Sequence, residues 1–279
     1  MEQYSLILEG GGIKGISHVG ALEYIHEIGL YDKIKYIAGS SAGSQVAALF
    51  AAGFSQSGIR DIFQKTPFIL FSDSSCGCFR DFYRFFSKYG YYKGNFMEKY
   101  MNEILYNEHK IERITFKELF DKTAIHLKIT GTCITDQTLA WFDYELTPSM
   151  EVAKAVRISS CIPLYFEPVK HENKYYVDGG VLRNLPSDAF PETHPILLDF
   201  EDSNMNEITN LNSFTSGVIN TMLGNVCRAP LGECIHVIIP TGHISATDFD
   251  IDDDDKKILY YSGYASTKNA FRHNEINDK

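Results

Sequence analysis

The chain has 279 residues, 44% of them hydrophobic, and a net charge of −10. That is long enough for a large core, and the acidic balance argues against nucleic acid, because phosphate neutralisation needs a basic face. No run approaches the ~18 consecutive apolar residues of a spanning helix.

The beginning of the chain carries Glu2 and Glu9, where a secretory signal would need positive charge and then an apolar run. The six cysteines lack C-x-x-C spacing, and the one close pair, Cys76 and Cys78, is a weak zinc signal without two further ligands. The expectation is a cytoplasmic chain with reduced thiols and no metal.

Tyr4-Ser5-Leu6-Ile7-Leu8 has strand length and is followed by Glu9 and Gly10-Gly11-Gly12-Ile13-Lys14-Gly15. Ile16, Val19, Leu22, Ile25 and Ile28 then recur at helical spacing up to Gly29, a C-terminal stop. Gly10, Gly12 and Gly15 satisfy the dinucleotide pattern G-x-G-x-x-G, with Glu27 and Asp32 near the acidic position ~20 residues on. Neither follows a clear second strand, so nucleotide binding stands as an alternative. A second use of the glycines is to present backbone N–H groups to a developing oxyanion.

Ile34-Lys35-Tyr36-Ile37-Ala38 is the next strand and runs into Gly39-Ser40-Ser41-Ala42-Gly43, followed by a small-residue helix from Ser44 to Ala52. Strand, tight turn and helix are the context of a G-x-S-x-G nucleophile elbow, with Ser41 at the helix N-terminus, where dipole and free N–H groups favour negative charge. The bland alternative is a small-residue turn without chemistry. Two parallel strands ending in such turns bring both to one carboxyl edge of a sheet.

Residues 71–100 hold eleven aromatics and five basic against three acidic residues. On a helix, Arg80, Arg84 and Lys88 share one side, with Phe82, Phe85, Phe86 and Tyr89 on the other. Such a helix could form a lid, rest on a membrane or be an ordinary surface helix.

Thr115 and Glu118 form a capping-box start. Strands are expected at 126–132 and 140–144, and a helix from Pro148 through Ile158 that breaks at Ser159-Ser160-Cys161-Ile162-Pro163. A short hairpin ends in Tyr175-Tyr176-Val177-Asp178-Gly179-Gly180, where the Asp178 carboxylate leaves a tight turn with little shielding; a capping aspartate is the plain alternative. Strands at 195–200 and 234–240 follow, with a helix at 214–226 between them. Asp252 to Asp255 lack the EF-hand pattern and suit a helix N-terminus instead. No repeat or linker marks a domain boundary.

The glycine turn (Gly10 to Gly15), the serine turn (Gly39 to Gly43) and Asp178-Gly179-Gly180, in that order, resemble the patatin-like phospholipase family. The block Ala155 to Phe166 and Val181…Asn184-Leu185-Pro186 extend the likeness, which covers a core of residues 4–191; residues 192–279 are expected as an extension packed on the same domain. The resemblance implies a three-layer α/β/α sandwich with a mostly parallel sheet and lipid acyl hydrolysis by a serine–aspartate dyad without cofactor or metal. Carried over, Ser41 is the nucleophile and Asp178 the base. Gly10, Gly11, Gly12 and Ala42 provide the oxyanion hole. Gly15, Gly39, Gly43, Gly179 and Gly180 are motif glycines, and Lys14 matches a basic position that meets the lipid phosphate. Glu9 stands where aspartate is frequent, and Gly180 where alanine is. The implied partner is a lipid, met peripherally at a membrane surface. Open alternatives are a non-catalytic interaction module and a Ser–His–Asp triad drawn from His194, His236, His243 or His273. His18, on the first helix, reads as surface or core.

Overall fold

The computed structural model describes residues 3–71, 85–201 and 233–277, with five further positions between 208 and 222. Its frame is a mixed sheet that, among the described residues, has eight strands. These are β1 (Tyr4–Leu8), β2 (Tyr36–Gly39), β4 (His126–Cys133), β5 (Thr138–Phe142), β7 (Val169–His171), β8 (Lys174–Asp178), β9 (His194–Phe200) and β10 (Ile235–Ile239). The order is β10-β9-β1-β2-β4-β8-β7, with β5 also paired to β4. Strands from β10 to β4 run parallel, whereas β5, β7 and β8 make antiparallel pairings. The short strands β3 (Gly90–Tyr92) and β6 (Leu164–Phe166) pair separately.

The central strands are buried on both faces, as their near-continuous apolar runs require. Leu6 and Leu8 face one core and Ile7 the other, all with no exposed surface. Each such side chain contributes roughly 1.5–3 kcal/mol of burial. The larger core lies under α1 (Ile16–Glu27), α2 (Ala42–Ala51), α3 (Gln56–Lys65), α4 (Asn95–His109), α5 (Phe116–Thr123), α6 (Val152–Ser159) and α8 (Asp253–Asn277). On the opposite face, Leu185, Ala189 and Phe190, just beyond α7 (Gly180–Arg183), cover Ile7, Ala38 and Leu197. Helices and loops thus sandwich the sheet.

The capping box of α5 forms as the sequence predicts: Glu118 N–H donates to Thr115 Oγ1, and Thr115 N–H to Glu118 Oε2. Asp252 caps α8 by accepting from the N–H groups of Asp254 and Asp255, which accounts for the acidic run. That helix lies hard against α1: a Cβ on Gly20 would stand 1.8 Å from Tyr260 O, and one on Gly263 1.8 Å from Ser17 O.

Several boundaries differ from the sequence reading. The strand expected at 34–38 spans Tyr36–Gly39, because Tyr31–Lys33 closes a 3-10 turn first. The strand expected to reach Tyr144 stops at Phe142, where Asp143 Oδ1 accepts from the N–H groups of Glu145 and Leu146. In the aromatic stretch, residues 85–88 are helical, but Tyr89 leaves the helix at φ 63° and so does not belong to its apolar face. Arg80, Phe82 and Arg84, the Cys76–Cys78 pair and most of the helix expected at 214–226 lie outside the described residues.

Candidate active site

β1 and β2 are adjacent and parallel, with Leu8 opposite Gly39, so the glycine turn and the serine turn emerge together at their carboxyl ends. Parallel β4 pairs Ile129 with Gly39, and antiparallel β8 ends with Asp178 opposite Gly131. β8 therefore delivers Asp178 to the level of the serine turn from the opposite direction. Chain reversal, rather than proximity in sequence, closes a separation of 137 residues.

The elbow is tightly built. Ser41 has φ 46° and ψ −121°, a strained conformation for a side-chain-bearing residue, and serves as N-cap of α2. A Cβ on Gly39 would stand 2.4 Å from Gly43 C, and one on Gly43 2.4 Å from Leu8 O, so strand and helix meet closely only because both residues are glycine. Ser41 Oγ donates to Asp178 Oδ2 at 2.7 Å, and Gly180 N–H donates to Asp178 Oδ1 at 2.7 Å. Asp178 is completely buried and Ser41 nearly so. Burial pushes the Asp178 carboxyl up to about 7, against the opposing pull of the Ser41 and Gly180 hydrogen bonds.

A second segment fixes the pair. Ser159 Oγ accepts from Ser41 N–H at 2.9 Å, and Ser160 Oγ donates to Ser41 O at 3.2 Å. On the other side, Gly179 N–H donates to Ser159 O and Asp178 N–H to Cys161 O. The end of α6 is thus a bridge that holds the serine turn and the aspartate turn in register. In the sequence these residues read as a helix break; two consecutive serines there were the available signal.

The glycine turn is held by Glu9 and Asn184. Glu9 Oε1 accepts from Asn184 Nδ2 at 2.8 Å and Oε2 from Phe200 N–H at 2.6 Å, while Asn184 Nδ2 also donates to Gly10 O. Burial and the neighbouring Asp199 carboxylate push the Glu9 carboxyl well above its usual range. Asp199, which burial alone would raise, is held low by hydrogen bonds from His236 and Glu9. The oxyanion donor set expected from the sequence needs one correction: Gly10 N–H is already donated to Asn184 O. Among the described residues no acceptor takes the N–H groups of Gly11, Gly12 or Ala42. Gly12 has φ 57°, and a Cβ there would collide with Ala246 O. The other motif glycines are close contacts too, Gly15 against Ala42 Cβ and Gly179 against Thr130. Lys14 is buried within the turn.

The expected alternatives find no support in the geometry. His236 pairs with Asp199 at 2.7 Å, His243 lies 3.8 Å from Asp255, and His194 packs on Tyr4. Both oxygens of Asp178 accept from Ser41 and Gly180 instead. His18 is a core residue: its Nε2 donates to Glu9 O, its ring stacks on Phe200, and burial pushes it down to about 4. In the glycine turn, a Cβ on Gly11 would meet Phe200 and one on Gly12 would meet Ala246 O. Of the aromatic stretch, Phe86 and Tyr89 are exposed, and Phe85 stacks on Tyr91.

A cavity of about 20 Å³ touches Ser41 and Ala42 and is walled by Phe63, Phe68, Phe71, Met97, Phe166 and Phe249. A larger groove of about 550 Å³ lies between α1, α3 and α8, away from Ser41.

A strained serine elbow joined to a buried carboxylate on an α/β/α frame is the arrangement that ester hydrolysis by a serine needs. The model of the patatin-like phospholipase family matches residues 6–191, and the chain belongs to that family. It is 29% identical over 282 residues to uncharacterized protein R571 of Acanthamoeba polyphaga mimivirus, covering 95% of this chain and 92% of that one. It is 32% identical over 196 residues to probable lipid hydrolase 463L of Invertebrate iridescent virus 6, covering 68% of this chain and 64% of that one. Among solved structures it is similar in fold to VipD from Legionella pneumophila, with TM-score 0.67, 16% identity and coverage of 98% of this chain and 67% of that one. ExoU of Pseudomonas aeruginosa, solved with SpcU, gives TM-score 0.57 at 21% identity, and this chain spans about half of it, 52%.

Proposed function

We propose that this chain hydrolyses lipid acyl esters of the phospholipase A or lysophospholipase type through a Ser41–Asp178 dyad. The observation that carries the reading is the 2.7 Å hydrogen bond from Ser41 Oγ to a fully buried Asp178. A carboxylate in that position can accept the hydroxyl proton, and a value near 7 is matched to a base working at neutral pH.

As Asp178 takes the proton, Ser41 Oγ bonds to the ester carbonyl carbon. The carbonyl oxygen becomes an oxyanion, met by the N–H groups of Gly11, Gly12 and Ala42 and by the positive end of α2. When the carbonyl re-forms, the ester C–O bond breaks and the alcohol or lysolipid leaves with the proton from Asp178. Water then attacks the acyl-serine, gives a proton to Asp178, and releases the fatty acid; the proton returns to Ser41 Oγ. No cofactor enters this sequence of steps.

Contact with a lipid surface is part of the reading. Phe86 and Tyr89 are exposed beside Lys88, a combination that suits a membrane interface. No helix of the described residues is long and apolar enough to cross a membrane. The iridescent virus relative named a probable lipid hydrolase supports the substrate class. The buried placement of Lys14 adds nothing to its expected phosphate contact.

The test is product analysis by mass spectrometry after incubation with phospholipid vesicles. Free fatty acid should appear with the wild type and be lost with Ser41→Ala and Asp178→Asn. Full activity in Ser41→Ala would overturn the dyad. A wild type that releases no fatty acid from any ester would favour a non-catalytic module.

A further inference from the structure

The acyl group attached to Ser41 needs an apolar place to lie, and the packing around the serine offers one route. Ser41 caps α2, and Gln45 and Leu49, spaced i, i+4 on that helix, share a side of it; Ser41 and Gln45 line one cavity, Gln45 and Leu49 the next. Met97 and Met101 are spaced i, i+4 on α4 and border the same seam. The cavity at Ser41 shares Gln45, Phe63, Phe68, Phe71 and Met97 with a second one of about 10 Å³ that reaches Leu49, Met101 and Ile104. The two are consecutive parts of one seam. Its polar groups are already satisfied: Thr66 Oγ1 donates to Ile62 O and meets the Tyr100 hydroxyl at 3.0 Å. Gln45 Nε2 stands at the neck, 3.3 Å from Ser160 Oγ and 3.9 Å from Met97 Sδ.

We propose that this seam between α2 and α4 is the acyl-chain subsite, and that Met97 and Met101 set the chain length it accepts. The proposal rests on the ester-hydrolase reading above. In the resting structure the seam is shut, with room at Ser41 for about one water. Methionine suits a wall that must open, because its unbranched side chain has three rotatable bonds and repacks at low cost. The occupant is a single hydrocarbon chain. From Ser41 to Leu49 the helix rises ~12 Å, which accommodates about ten carbons of an extended acyl chain.

The experiment has two arms. In the first, kcat/KM is measured on p-nitrophenyl esters of increasing acyl length. It should rise about fourfold per methylene while each is being buried, then level off near ten carbons. Met101→Trp fills the far end and should lower the ratio of decanoyl to butyryl kcat/KM roughly tenfold or more. Met101→Ala, the milder variant, should extend the rise to longer chains. In the second arm, decanoic acid binding to Ser41→Ala is followed by isothermal titration calorimetry, which needs no turnover; adding Met101→Trp should abolish it.

If esters are cleaved but the length profile and decanoate binding ignore both substitutions at Met101, the subsite is wrong and the hydrolase reading stands. If no ester is cleaved yet decanoate binds and Met101→Trp removes it, the subsite stands and the hydrolase reading falls.

Discussion

Replacing Asp178 by asparagine should remove activity and stabilise the protein in a pH-dependent way. The carboxyl is fully buried and raised from 3.8 to about 7. Folding therefore binds its proton more tightly than the unfolded chain does. Stability contributed by the protonated form is complete below about 4 and is lost as pH rises through about 7. The rise from 3.8 to about 7 corresponds to ~4 kcal/mol of destabilisation in wild type once Asp178 is ionised. Asparagine has a similar shape and no charge to desolvate. Its advantage over wild type should grow by roughly 2–3 kcal/mol between pH 5 and pH 8, measured by urea denaturation of both proteins at each pH. Any fixed difference in hydrogen bonding offsets both ends equally, so the change with pH is the informative quantity. A stability difference that stays flat from pH 5 to pH 8 would refute the raised carboxyl and, with it, the physical ground for Asp178 as base. The same ionisation should give kcat/KM an acid limb near pH 7.

Two further substitutions test the supports of the site. Ser41→Gly should be more stable than Ser41→Ala by about 1 kcal/mol in thermal unfolding, since glycine relieves the φ 46° strain that alanine keeps, and neither should hydrolyse ester; equal melting temperatures would remove the strain argument. Glu9→Ala leaves the Asn184 amide and the Phe200 N–H without their acceptor, at ~1–3 kcal/mol each. It should lower both the melting temperature and kcat by loosening the glycine turn, and an unchanged melting temperature would show that Glu9 does not hold that turn.

The readable parts of the sequence were those where a local rule sufficed. Apolar runs of strand length gave β1, β9 and β10 to within a residue or two. For β1 and the middle of β9 the reason is burial on both faces, which demands a continuous apolar run; β10 is an edge strand whose run is apolar although Ile238 is exposed. The elbow was visible because only glycine permits the approach at positions 39 and 43. The aspartate turn was visible too, but its pairing with Ser41 came with the family resemblance and not from spacing.

Tertiary structure decided the rest. Which amides of the glycine turn stay available depends on Asn184, 174 residues from Gly10, taking the Gly10 N–H and returning a side-chain bond. The bridge from Ser159 to Cys161 is a matter of which loop lies beside which, and a serine pair at a helix end looks the same whether or not it meets one. The Asp178 carboxyl is raised to about 7 only through complete burial, a property of everything packed around it. The sequence by itself supplied the groups that can do chemistry and the backbone able to present them. Only the folded sheet, by running β8 against β4 and stopping it at Gly131, brought aspartate to serine.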